Sequence, residues 1–305
     1  MEFLWYKNFC FINKKVMQKQ SPKKKLRPVQ KQQRPGFEKT MKPRPVFDYP
    51  QVKGSGKLKD KIAFITGGDS GIGKATAILF AKEGADIVIA YLNETPDAKE
   101  TKQIIEDRYN RACLLIKGDL SREQHCKNAV EKTITKFGRI DILVNNAAIH
   151  YENEGLSSLS TKELLKTFST NIFSFFWVTK AALRYMKKGG CIINSSSVTA
   201  YRGSGSLIDY ASTKGAIVSF TRSLSANLAK KGIRVNGVAP GPIWTPLIPS
   251  SFKGKKVATH GSDVPLQRAG EPVEIAPSYL FLACPDSSYM TGQFLHPNGG
   301  EIING

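Results

Sequence analysis

The stretch Thr66-Gly67-Gly68-Asp69-Ser70-Gly71-Ile72-Gly73 lies between an apolar run at 62–66 and a helix-forming run at 72–83 that Gly84 closes. A glycine-rich turn from strand to helix lets backbone approach a pyrophosphate and aims a helix N-terminus at its charge. Gly67, Gly71 and Gly73 are separated by three residues and by one, unlike the G-x-G-x-x-G spacing, but the physics is the same. Alone, such a turn also reads as purely structural. Its surroundings decide. Short apolar runs at 86–91, 112–117, 141–145, 191–195, 234–238 and 293–296 alternate with helix-forming runs at 97–109, 122–137, 161–187, 210–231 and 272–283. Strands without strict polar alternation, separated by helices, predict a parallel sheet covered on both faces: an α/β, doubly wound fold of Rossmann type. In that fold ligands bind at the carboxyl ends of the strands. The glycine turn, Asn145, Ser197 and Pro240-Gly241 all fall at such ends.

A second signal follows in the right order. Ser197 precedes Tyr210 by thirteen residues, and Lys214 follows Tyr210 by four. Residues four apart share a helix face, so phenol and ammonium stand together as an acid–base set. With a phosphate-cradling turn upstream, the combination reads as hydride transfer on a nicotinamide dinucleotide. Tyr49 and Lys53 repeat the spacing, but Pro50 between them removes a donor and disfavours an uninterrupted helix. That copy is a decoy.

The net charge of +20 suggests nucleic acid until it is located: residues 1–60 hold sixteen Lys/Arg against four Asp/Glu, so +12 of it belongs to the first fifth of the chain. The default reading is a solvated, extended basic arm over 1–60 ahead of one dinucleotide-binding catalytic domain over 61–305. Residues 1–12 are apolar but too short to span a bilayer, and they lack the charge order and cleavage site of a secretory signal. Met17 reads as the physiological start, with residues 1–16 an upstream misreading. Five scattered cysteines fit a reduced, cytoplasmic chain, and four histidines without ligand spacing predict no metal site.

The set TGGDSGIG, GDLS, NNA, Asn171 in the long helix, SSSV, YASTK and PGPIWT resembles the short-chain dehydrogenase/reductase family from about Lys61 onward. GGDSGIGKA, DYASTKGAI and GIRVNGVAPGPIWTPLIPSSF, with the basic arm, are similar to a subgroup of bacterial general-stress oxidoreductases and plant glucose/ribitol dehydrogenase homologues, generally described as NAD(P)-dependent aldehyde reductases. The family's Asn-Asn-Ala-Gly is Asn145-Asn146-Ala147-Ala148 here, which bears on substrate geometry beside the nicotinamide. The resemblance implies that Tyr210 exchanges a proton with the substrate oxygen while Lys214 favours its phenolate and holds the nicotinamide ribose. It implies that Ser197 orients the substrate oxygen, and that Asn171 holds a water linking Lys214 to solvent. Cofactor contacts are expected from Gly67, Asp69, Ser70, Gly71, Ile72, Gly73, Tyr91, Leu120, Asn146, Ala147, Pro240 and Gly241, with Ile243 and Thr245 at the carboxamide. Asp119 reads either as an adenine acceptor or as a helix N-cap before Ser121. A homotetramer is implied, packed through the helices carrying Asn171 and Tyr210.

An acid at the end of the second strand would select NAD, but Tyr91 stands there and Glu94 lies beyond. Ser70 offers no positive partner, and Lys74 could reach a 2′-phosphate or remain a solvated helix residue. The reading leans to NADP, with NAD also used. A polar loop of His150, Tyr151, Glu152 and Asn153 and an aromatic wall at Trp244 suit a small aldehyde or sugar, and residues 247–268 read as a mobile lid. The rival is a dinucleotide-bound binding protein whose arm contacts a polyanion, although the arm's lack of interleaved aromatics makes nucleic acid a poor partner. Deleting residues 1–60 separates the two, since an enzyme with a solvated arm keeps turnover.

Overall fold

Every residue of Ile62–Thr66 (β1) is buried, as expected of a strand covered on both faces. The computed structural model describes residues 23–303, so the readings of Met17 and of residues 1–16 lie outside it. Strands β2 (Asp86–Tyr91), β3 (Cys113–Lys117), β4 (Ile142–Asn145), β5 (Cys191–Ser195), β6 (Arg234–Val238) and β7 (Phe294–Leu295) complete one sheet. Its order is β3-β2-β1-β4-β5-β6-β7, with neighbours parallel throughout. Side chains alternate between two cores. Ala63, Ile65, Ile87, Ile89 and Val144 pack with Phe80 and Tyr279 on one face; Phe64, Val88 and Leu143 pack with Val130 and Val178 on the other.

Helices α1 (Gly71–Lys82), α2 (Thr95–Tyr109) and α3 (Glu123–Phe137) fill the expected crossovers. The next one differs from expectation. The run 161–187 divides into α4 (Thr161–Phe168), a π turn (Ser169–Phe173) and α5 (Ser174–Ala182). The wider turn sits at Asn171, whose amide is drawn away to another loop, and such bulges are common at functional sites. Helices α6 (Thr199–Arg202) and α7 (Ile208–Leu228) follow β5, and α10 (Pro272–Ala283) precedes β7. Between them the expected lid holds two short helices, α8 (Leu247–Ser251) and α9 (Lys255–Ala258), too brief to show a period in sequence.

The arm departs most from its reading. Instead of standing in solvent, residues 26–58 lie against the domain. Leu26 and Gln32 donate backbone hydrogen bonds to Ala258 and Pro249 of the lid, and Met41 is buried with Trp244, Ile248 and Val257. Arg27 stacks 4.5 Å from the Trp244 ring centre and pairs with Glu271 at 2.9 Å. The Glu38 carboxylate accepts from the Gly71 amide at 2.8 Å and from the Lys74 ammonium at 2.7 Å, and both side chains are 0% exposed. An anion at the first turn of α1 complements the helix dipole. Burial nonetheless pushes the Glu38 carboxyl above its ordinary range, against the opposing pull of Lys74. Composition concealed this because one acid among many bases decides the docking: Glu38 is the lone acid between Glu2 and Asp48.

Removing one partner of a buried ion pair strands the other charge, at about 3–5 kcal/mol. Glu38→Ala should therefore lose about that much stability in denaturant unfolding, and adding Lys74→Met should return part of it. A loss under about 1 kcal/mol, typical of exposed pairs, would contradict this packing. Deletion of residues 1–60 removes the same carboxylate and should cost at least as much stability.

Candidate active site

The chain runs outward through β1, β2 and β3 and then returns to β4 beside β1. A crevice opens where the order reverses, beyond the strand carboxyl ends. Thr66 ends β1 there, and its Oγ1 accepts from the amides of Asn146 at 2.8 Å and Ala147 at 3.0 Å. Asn146 Nδ2 returns bonds to the carbonyls of Thr66 at 3.1 Å and Gly67 at 3.2 Å. Gly67 has a φ of +63°, and a Cβ on Gly73 would sit 1.9 Å from the Gly67 carbonyl oxygen. Only glycine lets α1 start this close to β1. The Gly71 amide is taken by Glu38, while the Ile72 and Gly73 amides have no acceptor among the described residues. The Ile72 amide, on the crevice wall, is a donor suited to a phosphate.

One cavity of about 1040 Å³ runs along these strand ends. It is lined by Gly67, Asp69, Ser70, Gly71, Ile72 and Tyr91 at one end and by Asp119, Leu120, Asn146 and Ala147 along its floor. Ser197, Tyr210, Lys214, Pro240, Gly241, Ile243 and Thr245 line it further on. Two expected site residues are not in its wall. Gly73 is buried beneath the turn, and Asn171 is enclosed at the π turn. Both ends of the Asn171 amide are engaged: Oδ1 accepts from the Ile149 amide at 2.8 Å, and Nδ2 donates to the Ile149 carbonyl at 2.8 Å and to Thr213 Oγ1 at 3.2 Å. Its side chain thus clamps the loop after β4 to α7.

Tyr210 and Lys214 share a face of α7 as expected, with the ammonium 5.4 Å from the phenol ring centre. Their electrostatics differ from expectation. Burial pushes the Tyr210 phenol up to about 12, against the Ser197 hydroxyl beside it, and burial brings the Lys214 ammonium down to about 7. Lys214 Nζ donates to the Ser195 carbonyl at 2.8 Å, so a neutral acceptor rather than a counter-charge holds it. Desolvation therefore favours a neutral phenol beside a weakly basic amine.

At the other end two acids meet. Burial, and then the neighbouring Glu94, raise the Asp69 carboxyl to about 8, and burial raises Glu94 as well. Lys74 is neither a phosphate ligand nor a solvated residue, because Glu38 holds it in the interior. Asp119 accepts from the Ser121 amide at 3.0 Å and pairs with Lys166 at 2.8 Å, while α3 begins later with Arg122 at its cap. The N-cap reading does not hold. Trp244 is no wall either: it is wholly buried under the arm, donating Nε1–H to the Pro43 carbonyl at 2.9 Å. Of the expected polar loop, His150 alone lines the cavity; Tyr151 stacks under Arg34 and Glu152 pairs with Lys256. Glu38, His260 and Ser262 escaped the sequence reading, since only folding brings the arm and the lid to this crevice.

A family model described as enoyl-(acyl carrier protein) reductase matches residues 67–301. The chain belongs to the short-chain dehydrogenase/reductase family, a class of NAD(P)-dependent oxidoreductases. It is 58% identical over 283 residues to the uncharacterized oxidoreductase YhxC of Bacillus subtilis, covering 93% of this chain and 98% of the relative. It is 51% identical over 276 residues to the chloroplastic NADPH-dependent aldehyde reductase 1 of Arabidopsis thaliana, covering 88% and 96%. A short-chain dehydrogenase from Burkholderia cenocepacia, solved in complex with NADP, superposes with a TM-score of 0.75 at 30% identity, covering 80% of this chain and 98% of that one.

Because the unfolded chain binds a proton at Lys214 between about pH 7 and 10.5 that the folded chain does not, stability rises with pH across that window. Below it both states are protonated and this contribution stays flat. Lys214→Met should abolish this rise, so melting curves of the two proteins should diverge steadily from pH 7 to 10. Parallel curves would mean that the lysine titrates alike in both states.

Proposed function

We propose that the cavity binds NADH or NADPH and reduces the carbonyl of a small aldehyde or sugar. The observation that carries this is the half-buried Tyr210 phenol, beside Ser197 and Lys214, in the same cavity as the glycine turn. The Ile72 amide would hold the pyrophosphate, and Asp69, Ser70, Tyr91 and Glu94 the adenosine ribose. Ile243 and Thr245 would hold the carboxamide. When bound, the dinucleotide supplies or accepts the hydride. Ser197 hydrogen-bonds the substrate oxygen. Tyr210, kept neutral by burial, gives that oxygen its proton, which suits the reductive direction. Lys214 holds the nicotinamide ribose and restores the proton. Asn171 is a positioning residue acting through Ile149 and Thr213. The buried free thiols of Cys113, Cys126, Cys191 and Cys284 support a reducing, cytoplasmic setting. Among the described residues no helix is long and apolar enough to cross a membrane. Leu165, Phe173 and Phe176 are exposed on the helices carrying Asn171, beside Phe220 of α7, which supports a homotetramer packed through this face.

Fluorescence titration of NADPH and NADH, with an aldehyde-reduction assay alongside, tests the reading. Tyr210→Phe should bind dinucleotide like the wild type and lose turnover by about 10²–10⁴-fold. Binding of neither dinucleotide would remove it. A carboxyl protonated until about pH 8 can donate to a 2′-phosphate at neutral pH and repels it once ionised. The ratio of NADPH to NADH dissociation constants should therefore climb between pH 7 and 9. A flat ratio would place the 2′ position away from Asp69.

A further inference from the structure

Pro246, at the start of the lid, packs between two glycines, one from the arm and one from the dinucleotide turn. A Cβ on Gly36 would lie 2.7 Å from the Pro246 carbonyl oxygen and 3.1 Å from Ser250 Cβ. A Cβ on Gly71 would lie 3.0 Å from Thr245 Cγ2 and 3.7 Å from Pro246 Cδ. Arm, turn and lid thus meet at one junction, and Pro35, next to Gly36, reaches the cavity wall itself. Glu38 closes the junction. Its carboxylate accepts from the Gly71 amide at 2.8 Å, and its own amide donates to Asp97 Oδ2 at 2.7 Å in the first turn of α2. Glu38 is wholly enclosed and forms no part of the cavity wall, so it acts only through what it holds. Ile72, which follows Gly71, and Thr245, which precedes Pro246, both line the cavity.

We infer that Glu38 is a positioning residue for the dinucleotide: by seating Gly71 against Thr245 and Pro246, it fixes the span between the Ile72 amide and Thr245. That span sets where the nicotinamide stands against the substrate carbonyl. The inference rests on the reading that Ile72 holds the pyrophosphate and Thr245 the carboxamide. A whole dinucleotide bridges both holders and so depends on the distance between them. An adenosine fragment that ends at its 5′-phosphate does not. Binding to a preset span costs less ordering than binding to a loose one. Rate is more exacting, since a shift of about 1 Å can cost about 10²-fold. The Gly71 amide needs an acceptor rather than a charge, and an amide oxygen serves as one too. Positioning can therefore be separated from the buried ion pair with Lys74.

Two double variants test this. Glu38→Ala/Lys74→Met and Glu38→Gln/Lys74→Met both remove the buried charges, so neither strands one. Only the second keeps an acceptor for Gly71. NADPH and adenosine 2′,5′-bisphosphate are titrated at a temperature where circular dichroism shows each protein folded. Beside them, kcat is measured with propanal or glyceraldehyde, whichever the wild type turns over faster. The alanine variant should bind NADPH about tenfold more weakly, hold the bisphosphate within about twofold, and lose kcat about tenfold or more at saturating dinucleotide. The glutamine variant should recover most of each loss. Should the alanine protein not fold, Gly36→Ala, which crowds Pro246 from the arm side, takes its place and should show the same asymmetry. Equal weakening of NADPH and the bisphosphate overturns the inference, because Glu38 then merely supports the turn. So does a glutamine variant no better than the alanine one, or an alanine variant that binds and turns over like the wild type. In each of these cases the reductase reading stands. A wild type that binds NADPH but reduces neither aldehyde removes the aldehyde reading alone, and the two titrations still decide the role of Glu38.

Discussion

The architecture depends on the join between Thr66 and Asn146. Where the strand order reverses, β1 and β4 lie side by side, yet their following chains must part to leave room for a ligand. Thr66 Oγ1 takes two amides from the β4 side, and Asn146 Nδ2 gives two bonds back to the β1 side. Four bonds thus tie together the chains that leave the ends of β1 and β4. Ser195 extends the join to β5 through its bond to Asn146 Oδ1 at 3.2 Å, and Tyr279 of α10 anchors Ser195 at 2.6 Å. The floor of the site is thus tied to the sheet by side chains, which ladder hydrogen bonds alone cannot do beyond the strand ends.

A second clamp works from outside the sheet. Glu38 fixes the arm at the first turn of α1, while Leu26, Gln32 and Arg27 fix it against the lid and Glu271. The lid helices are too short to stabilise themselves, and their buried face is completed by Met41 and Trp244. The same arm therefore braces the dinucleotide turn and the cover of the substrate end. Its basic excess is a property of the surface, while its function in the fold rests on a carboxylate, an indole and backbone amides.

Desolvation sets the chemistry between the clamps. The cavity wall buries Lys214, Asp69 and His150 almost completely and Tyr210 in part, and in each case the neutral form gains. The site is thus poised with a protonated phenol, a weakly basic amine, an un-ionised carboxyl and a neutral imidazole. Charge enters with the dinucleotide, in an environment where fixed dipoles act with little screening.

The sheet, its strand bounds and the line of residues along its carboxyl edge were legible in the sequence, because strands buried on both faces must be apolar throughout and glycine turns must follow them. Ser197, Tyr210 and Lys214 were legible for a similar reason: one helix turn and one strand end fix their relation locally. The π turn at Asn171 was not, and the bonds its side chain makes there run to Ile149, on another loop. Nor were the enclosure of Lys74, the burial of Trp244 or the gathering of His150, His260 and Ser262, each of which depends on contacts between distant segments. Local patterns record which face of an element is apolar. They carry no record of a single carboxylate thirty-three residues upstream finding the amide of Gly71, which only the folded chain decides.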